Sequence, residues 1–461
     1  MASSRTSKPS SVDRVESTVG AALAALLPRG ARLVLGLSGG LDSMVLLEVL
    51  RRLAGPLDFR LACVHVNHNI SPNARRWAAF CARCCKRRAI ALAVHEADVG
   101  PYRAEGLEAA ARRVRYEIYA RQKQADFIVL AQHLDDQAET LLLQLLRGAG
   151  VKGGAAMPLM RAQARGKREP GARAPAILRP MLALSRNQLE AYARANSLKW
   201  VEDESNADTS YDRNFLRHRV LPVIAQAFPG YRTTLARAAG HLAEASLILD
   251  QLAQDDAKRA AKGNTLVVAQ LRRLGIARAK NLLRWMLQRQ GSAAPEADRL
   301  QEGLRQLFEA GEDAAVRVTL GSTELRRYGA SAYLLAALPD APAQLRRDWD
   351  GRRLWELPEL GGALHFKRSL GAGLACAHVR EQGLSLRLRQ GGEKLRLRAQ
   401  GSTRSLKNLL QEARLPPWER ERLPLVYCGD VLVAVPGLGV ASGWEAGAKE
   451  YGWVVGWRPQ A

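Results

Sequence analysis

Residues 33–50, LVLGLSGGLDSMVLLEVL, constrain the fold more than any other stretch of the chain. Apolar residues run into a Ser-Gly-Gly turn and then recur at helical spacing, which predicts a strand, a tight turn and a helix. Such a turn aims backbone N–H groups at one point, where a phosphate binds well. Hydroxyls add donors, and Asp42 is a carboxylate suited to holding Mg²⁺ against phosphate oxygens. The predicted phosphate site comprises Ser38, Gly39, Gly40, Leu41, Asp42 and Ser43.

The turn also narrows the class of nucleotide site. It lacks the Gly-Lys-Ser/Thr of a Walker A loop and is not GxGxxG. Ser-Gly-Gly-x-Asp-Ser is similar to the loop of the N-type ATP pyrophosphatases, the PP-loop superfamily. That resemblance implies ATP and Mg²⁺ as cofactors, and the alternative is a glycine turn in an ordinary strand–helix unit.

Strands and helices alternate through the first half of the chain. Strands are predicted at 33–37, 61–66, 90–94 and 127–131, with helices at 73–88, 107–125 and 135–146. This alternation predicts an α/β fold with a doubly wound, mostly parallel sheet. Ligands of such sheets bind at the carboxyl ends of the strands, where residues 38–43, 67–68 and 133–136 all fall.

Two charged clusters stand near this edge. Residues 133–140, HLDDQAET, place Asp136 and Glu139 on one helix face, where two carboxylates can bind a metal or an ammonium group. Arg112 and Arg115 are also three apart and either neutralise phosphates or coat a helix surface. The polar residues 202–217 are predicted to form either a wall of the binding site or a loop followed by a capped helix.

The charge balance favours a polyanionic partner. The chain has 461 residues, 69 Lys and Arg against 45 Asp and Glu, and a net charge of +24, which indicates nucleic acid before an anionic membrane. There is no run of 18 apolar residues and no apolar leader, so we expect a cytoplasmic protein without a membrane partner. The sequence leaves a homodimer open.

The C-terminal part alternates leucine with arginine. In LSLRLR and KLRLR, period two turns the leucines inward and Arg387, Arg389, Arg396 and Arg398 outward. A row of outward arginines beside an exposed Trp418 indicates a surface that binds RNA. The alternative is that these arginines only face solvent.

Four parts are expected along the chain. Residues 1–30 are a tail and helix, 31–228 an ATP-binding catalytic domain, 229–345 a mainly helical linker and substrate-binding domain, and 346–461 a small basic α+β tRNA-binding domain. A basic Gly/Pro-containing loop is expected at 161–175. Cys81, Cys84 and Cys85 lack zinc-site spacing and are predicted to pack under the sheet.

Several motifs together resemble the tRNA(Ile)-lysidine synthase family: SGGLDS, HVNH, LEAAARRVRY, HLDDQAET with LLRGAG, EDESN with RNFLR, and, near the end, RSLK and PPWER. The resemblance implies that ATP adenylates the wobble cytidine of tRNA(Ile) with a CAU anticodon, and that free L-lysine displaces AMP. It further implies the catalytic residues Asp42, His133, Asp136, Glu139, Arg112 and Arg115. The implied lysine-binding residues are Asp136 and Glu139. The implied tRNA-binding residues are Arg213, Arg217, Arg387, Arg389, Arg396, Arg398, Arg404 and Lys407.

The sequence departs from the family at two single positions, and residues 153–157, GGAAM, match the family's usual segment only loosely. Asn69 follows HVNH where glycine is frequent, and Gln132 stands where a second histidine is common. Asn tolerates a left-handed backbone, so the turn is expected to survive. The competing functions are a PP-loop tRNA thiolase, which would need catalytic cysteines, and an RNA-binding protein with an inactive ATP fold.

Overall fold

The structure is a computed structural model, and it describes residues 11–162, 174–292, 295–311, 314–337 and 340–459. The predicted tail at 1–10 and most of the predicted basic loop, residues 163–173, lie outside the described residues. Two compact units divide at Leu252 and Ala253. The finer division into four parts stays a prediction.

The first unit is built on a six-stranded sheet. Its strands are β1 (Ala31–Gly36), β2 (Phe59–Asn67), β3 (Ala91–Glu96), β4 (Phe127–Val129), β5 (Met160–Arg161) and β6 (Ala176–Leu178). The spatial order is β3-β2-β1-β4-β6-β5. All neighbours pair in parallel except β5 with β6. The predicted α/β fold is confirmed.

Ten helices among the described residues belong to this unit, of which five pack on the sheet and the last runs on into the second unit. They are α1 (Ser11–Ala24), α2 (Leu41–Leu53), α3 (Ala74–Arg87), α4 (Leu107–Ala120), α5 (Leu134–Leu146), α6 (Val151–Gly154), α7 (Arg186–Ala195), α8 (Asp212–Phe215), α9 (Leu221–Ala227) and α10 (Tyr231–Ala260). Short 3₁₀ turns span Gly100–Glu105 and Glu204–Ala207, and a π-helical turn spans Leu216–Val220. One apolar core packs α1, α2, α3 and α7 against β1, and a second core packs α4 on the other face.

The second unit begins with helices on an antiparallel sheet. Its elements are β7 (Ala261–Lys262), β8 (Thr265–Val267), α11 (Val268–Arg289), α12 (Ala297–Glu309), β9 (Arg317–Leu320), β10 (Thr323–Tyr328) and β11 (Ser331–Ala336). The order is β7-β8-β11-β10-β9. Helix α11 kinks at Gly275, where φ is 76°. This part of the chain, expected to be mainly helical, therefore contains a five-stranded sheet beside its helices.

The remainder of this unit is mostly β. It contains β12 (Arg346–Asp348), β13 (Leu354–Leu357), β14 (Gly362–Leu370), β15 (Leu374–Ala375), α13 (Cys376–Gln382), β16 (Ser385–Arg387), β17 (Lys394–Leu395), β18 (Arg404–Ser405), α14 (Leu406–Glu412), α15 (Pro417–Arg420), β19 (Leu425–Cys428), β20 (Val431–Val435), β21 (Gly439–Val440) and β22 (Tyr451–Pro459), with a 3₁₀ turn at Pro358–Leu360. The sheets run β12-β16-β19-β20-β21, β13-β14-β22-β15 and β17-β18.

Candidate active site

The loop between β1 and α2 is held in shape by its own hydroxyls. Ser43 Oγ accepts the Gly39 N–H at 3.1 Å and donates to the Gly40 carbonyl at 2.9 Å, while Ser38 Oγ lies 3.1 Å from Ser43 Oγ. Gly39 has φ of +89°, and a Cβ there would lie 3.0 Å from Cys81 Sγ. Glycine is therefore required at this position both by conformation and by space.

The loop opens into a cavity of about 710 Å³, hereafter the central cavity. Its wall is contributed by six stretches of the first unit: the loop, the end of β2 with the turn after it, the start of α3, α4, the residues that follow β4, and residues 203–217. Arg112, Arg115, Arg213 and Arg217 all line it, as does Gln132. Ser38, Asp42, Ser43, Asn67 and His68 of the predicted strand edge thus meet in this cavity. Residues 133–136 do not line it, although His133 contacts Asp42, which does.

His133 stands among three carboxylates next to the loop. Its Nε2 is 3.7 Å from Asp42 Oδ1 and 3.5 Å from Asp136 Oδ2, and its Nδ1 is 3.6 Å from Asp135 Oδ2. The ring is 4% exposed. Burial by itself would lower the pKa of His133, but Asp136, Asp135 and Asp42 outweigh it and raise the pKa. The imidazolium form is favoured in this arrangement.

His133 and Asp136 also begin helix α5. The Asp136 carboxylate accepts the backbone N–H of His133 at 3.0 Å, as one half of a capping box. The first helical residues therefore have a structural task in addition to any chemical one.

Each carboxylate of the cluster faces an arginine. Arg186 Nη1 is 2.6 Å from Asp42 Oδ2, and Arg232 pairs with Asp135. Sequence reasoning missed both arginines. Arg186 is merely the first residue of α7 and Arg232 the second of α10, and nothing in their spacing indicates partners so far away in the chain.

Glu139 lies beneath two further arginines. Arg217 donates to both of its oxygens, at 2.7 and 2.8 Å, and Arg213 Nε lies 3.5 Å away. The Glu139 side chain is 1% exposed. Burial raises the pKa of Glu139, although the hydrogen bond and the charge of Arg217 act to lower it. Lysine would have to displace Arg217 to reach this carboxylate. Tyr231 packs beneath the same region.

Arg115 and the end of β2 shape another part of the wall. Arg115 Nη2 lies 3.4 Å from His68 Nε2. Burial, reinforced by the charge of Arg115, lowers the pKa of His68 to about 4, so this histidine is neutral at pH 7. Asn69 has φ of 52° and donates to Glu96, which confirms that asparagine supports the left-handed turn.

The donor set fits a magnesium ion at Asp42. Asp42 Oδ1 is buried and has no hydrogen-bond partner among the described residues. Burial raises the pKa of Asp42, and His133 and Arg186 act against that rise. Within the described part of the chain, no group of three or more His, Cys, Asp or Glu could enclose a metal by itself. Mg²⁺ commonly uses one or two carboxylates together with substrate phosphates, so Asp42 is sufficient on the protein side.

The Leu/Arg segments of the second unit are not one paired surface. Four of the leucines are buried as predicted and Leu397 is half-buried. However, β16 pairs with β12 and β19, whereas β17 pairs with β18. Among the predicted RNA-contacting residues, Arg387, Arg389 and Arg404 contact nearby carboxylates. Arg396, Arg398 and Lys407 are exposed.

Trp418 is not an exposed RNA platform, which corrects the prediction. Its ring packs edge-on against Tyr333 at 5.3 Å and Tyr328 at 6.4 Å between centroids. Arg420 Nη2 donates to the Tyr328 hydroxyl at 2.7 Å. The PPWER segment therefore holds α15 against the β10–β11 hairpin.

The cysteines lie where a catalytic role is difficult. Cys63, Cys81, Cys84 and Cys85 are each at most 2% exposed and belong to the core beneath β1 and α2. Burial raises the pKa of the Cys81 thiol to about 12, so its thiolate is scarce. The packing role is confirmed for these residues, and a thiolase chemistry is not favoured.

Comparison with known proteins agrees with this geometry. Family models match residues 13–224 as a PP-loop domain, 266–333 as a TilS substrate binding domain and 384–457 as a TilS substrate C-terminal domain. A tRNA(Ile)-lysidine synthase of Nitrosomonas europaea is 42% identical over 93% of this chain and 92% of its own length. One of Coxiella burnetii is 36% identical over 92% of both chains. A solved TilS C-terminal domain aligns over 26% of this chain and 98% of its own, with 24% identity and a TM-score of 0.22.

Proposed function

Because this chain belongs to the tRNA(Ile)-lysidine synthase family, we propose that the central cavity performs that family's reaction with the residues assigned below. The enzyme is an ATP-using ligase that joins L-lysine to C2 of the wobble cytidine of tRNA(Ile), releasing AMP and pyrophosphate. The observation that carries the assignment is the contact between the PP loop and the carboxylate cluster: Asp42 lines the central cavity, and its Oδ1 lies 3.7 Å from His133 Nε2.

The first step needs a phosphate cradle. The C2 oxygen of cytidine attacks the α-phosphorus of ATP, the bond to the pyrophosphate group breaks, and C2 acquires an adenylate leaving group. Residues 38–43 offer the amides and hydroxyls that bind the departing phosphates. Bound Mg²⁺ would neutralise those phosphates, and Asp42 is the residue that would hold it. Arg112 and Arg115 supply further positive charge on the wall.

The second step needs a neutral amine. The lysine side-chain amine, with an ordinary pKa of about 10.4, must lose a proton to attack C2 and expel AMP. Asp136 and Glu139 are proposed to bind its ammonium form, with a carboxylate accepting the proton. Arg217 would then move from Glu139 toward an anionic substrate. His133, as an imidazolium, is proposed to stabilise negative charge near the reacting base.

The remaining assignments concern partners. Arg396, Arg398 and Lys407 are proposed to contact the tRNA backbone, together with Arg387, Arg389, Arg404, Arg213 and Arg217 once their carboxylate partners release them. The CAU anticodon as the recognised sequence is part of the proposal. Among the described residues no helix is long and apolar enough to cross a membrane. We expect the enzyme to act in the cytoplasm, where tRNA and ATP are found, and a homodimer stays an untested prediction.

Mass analysis of anticodon-loop nucleosides tests this function directly. Incubating the enzyme with ATP, lysine and tRNA(Ile) should convert the wobble cytidine to lysidine and release one pyrophosphate for each event. Omitting lysine should leave the nucleoside without the lysine mass. If the cytidine gains no mass with all three substrates present, the proposed function is wrong.

A further inference from the structure

Three guanidinium groups surround one tyrosine on the wall of the central cavity. The Cζ atoms of Arg112 and Arg161 lie 5.0 and 5.1 Å from the ring centroid of Tyr116. The Arg179 side chain hydrogen-bonds to the Tyr116 side chain. Tyr116 and Arg112 both line the cavity. We call Arg112, Arg161, Arg179 and Tyr116 the arginine cluster.

The cluster lacks a counter-charge. Arg179 is 1% exposed, yet its side chain donates to neutral oxygens: Gln132 Oε1 at 2.5 Å and the Pro158 carbonyl at 3.0 Å. No carboxylate of the described residues lies within salt-bridge distance of any of its three arginines. A buried charge without a partner is costly, and a bound anion would relieve that cost.

Several other arginines near the loop are paired with carboxylates, whereas Arg115, like the arginine cluster, is not and contacts His68. Arg186 has Asp42, Arg217 has Glu139, and Arg232 has Asp135. If the arginine cluster only stabilised the fold, a carboxylate at its centre would serve better than a tyrosine. The charges of Arg112, Arg179 and Arg161 even lower the pKa of Tyr116, although burial acts in the opposite direction. The electrostatic potential at this position therefore selects for negative charge.

The fold sets the cluster on regular elements. Arg112 and Tyr116 are one turn apart on α4. Strands β5 and β6 pair antiparallel, with Arg161 opposite Ile177, and Arg179 follows β6 directly. Gln132 follows β4, the neighbour of β6. The backbone positions that carry the three guanidinium groups are thus set by the fold.

We propose that the arginine cluster is a phosphate subsite of the central cavity, in addition to the PP loop. Arg112 and Arg161 would contact the phosphate oxygens, for which the planar guanidinium fork is well suited. Tyr116 and Arg179 would act as positioning residues, since they orient that pair and raise the positive potential behind it. The phosphate belongs either to the nucleotide or to the tRNA backbone. This inference rests on the proposed function, which brings both molecules to this cavity.

The test uses the full-length enzyme with Arg161→Gln, because Arg161 is exposed and its loss should not unfold the chain. Arg83→Gln, an exposed arginine on α3, is the matched charge control. Two quantities are measured: the KM for ATP in tRNA-dependent pyrophosphate release, and the Kd for tRNA(Ile) without ATP. A charge-assisted contact predicts about a tenfold rise in at least one of them.

The two measurements separate the two sources of phosphate. A rise in the KM for ATP alone assigns the subsite to the nucleotide, and a rise in the tRNA Kd alone assigns it to the RNA. Arg161→Lys should recover part of the loss, since it restores the charge but not the fork. If both quantities stay at the wild-type value, or change only as far as in Arg83→Gln, the subsite is overturned. Lysidine formation by the wild-type enzyme is measured in the same assay, so a failure of the proposed function would be seen separately.

Discussion

Arg186 Nη1 lies 2.6 Å from Asp42 Oδ2, so an arginine from α7 neutralises the single carboxylate of the PP loop. Asp42 Oδ1 is left buried without a hydrogen-bond partner among the described residues. The two oxygens are therefore not equivalent. The charge of Arg186 favours the ionised form of Asp42, which is the form that would hold Mg²⁺.

Asp42→Asn should stop the first step. The amide keeps the size and one oxygen but removes the negative charge that would hold Mg²⁺, so pyrophosphate release should fall by about 100-fold or more. The measurement is tRNA-dependent pyrophosphate release at saturating ATP. Asp58→Asn, an exposed acid of the same unit with φ of 48°, should behave as wild type. Turnover that survives the Asp42 change would contradict the assigned role.

Arg186→Met should alter the pH dependence rather than only the rate. Arg186 lowers the pKa of Asp42 against the rise caused by burial, so removing it should raise that pKa further. Asp42 then protonates at a higher pH, so the acidic limb of the pH–rate profile should move to higher pH. Arg194→Met, on the same helix with its side chain 77% exposed, is the control. An unshifted acidic limb would show that Asp42 ionisation does not govern this limb.

Glu48 should stabilise the first unit in a pH-dependent way. Burial favours its neutral form, but hydrogen bonds from Arg51, Arg88 and Arg52 lower its pKa to about 2. Its stabilisation is thus present above its ordinary pKa of about 4.3 and is lost as the pH falls toward 2.

Glu48→Gln should therefore lower the free energy of unfolding at pH 7 on the order of 2 kcal/mol, after allowance for the partly exposed arginines. Urea unfolding measures the difference, which should shrink below about pH 4. Glu117→Gln, whose ion pairs are long and exposed, should change little. A loss of stability that is equal at pH 7 and pH 3 would rule out the ionic explanation.

Arg398→Gln should weaken tRNA binding through salt-dependent contacts. Removing one phosphate contact should make the negative slope of log K against log salt shallower by about 0.7–0.9. Arg404→Gln is the matched comparison, because Arg404 is already paired with Glu412 and should lose less. Titration of tRNA(Ile) at several salt concentrations gives both slopes. If both variants keep the wild-type slope, the RNA-binding surface lies elsewhere.

The parts of the fold visible in the sequence are those with a period or a motif. The strand–turn–helix at residues 33–50 and the alternation after it were readable because apolar spacing differs between strands and helices. Strands β5 and β6, of two and three residues, carry no such period and are not predicted by the sequence. The partners Arg186 and Arg232 were also invisible, since an ion pair between distant residues leaves no spacing signal. Trp418 looked exposed because the sequence does not show which tyrosines cover it.

The capping contact between His133 and Asp136 decides which variants can give interpretable results. Asp136 both accepts the backbone N–H that begins α5 and stands 3.5 Å from the His133 ring. An alanine there would unravel the helix start and abolish a chemical group at once, so lost activity would have two causes. Asparagine keeps an oxygen for the N–H and removes only the charge. The pair Asp136→Asn and Asp136→Ala therefore separates the contribution of architecture from that of chemistry at a residue that serves both.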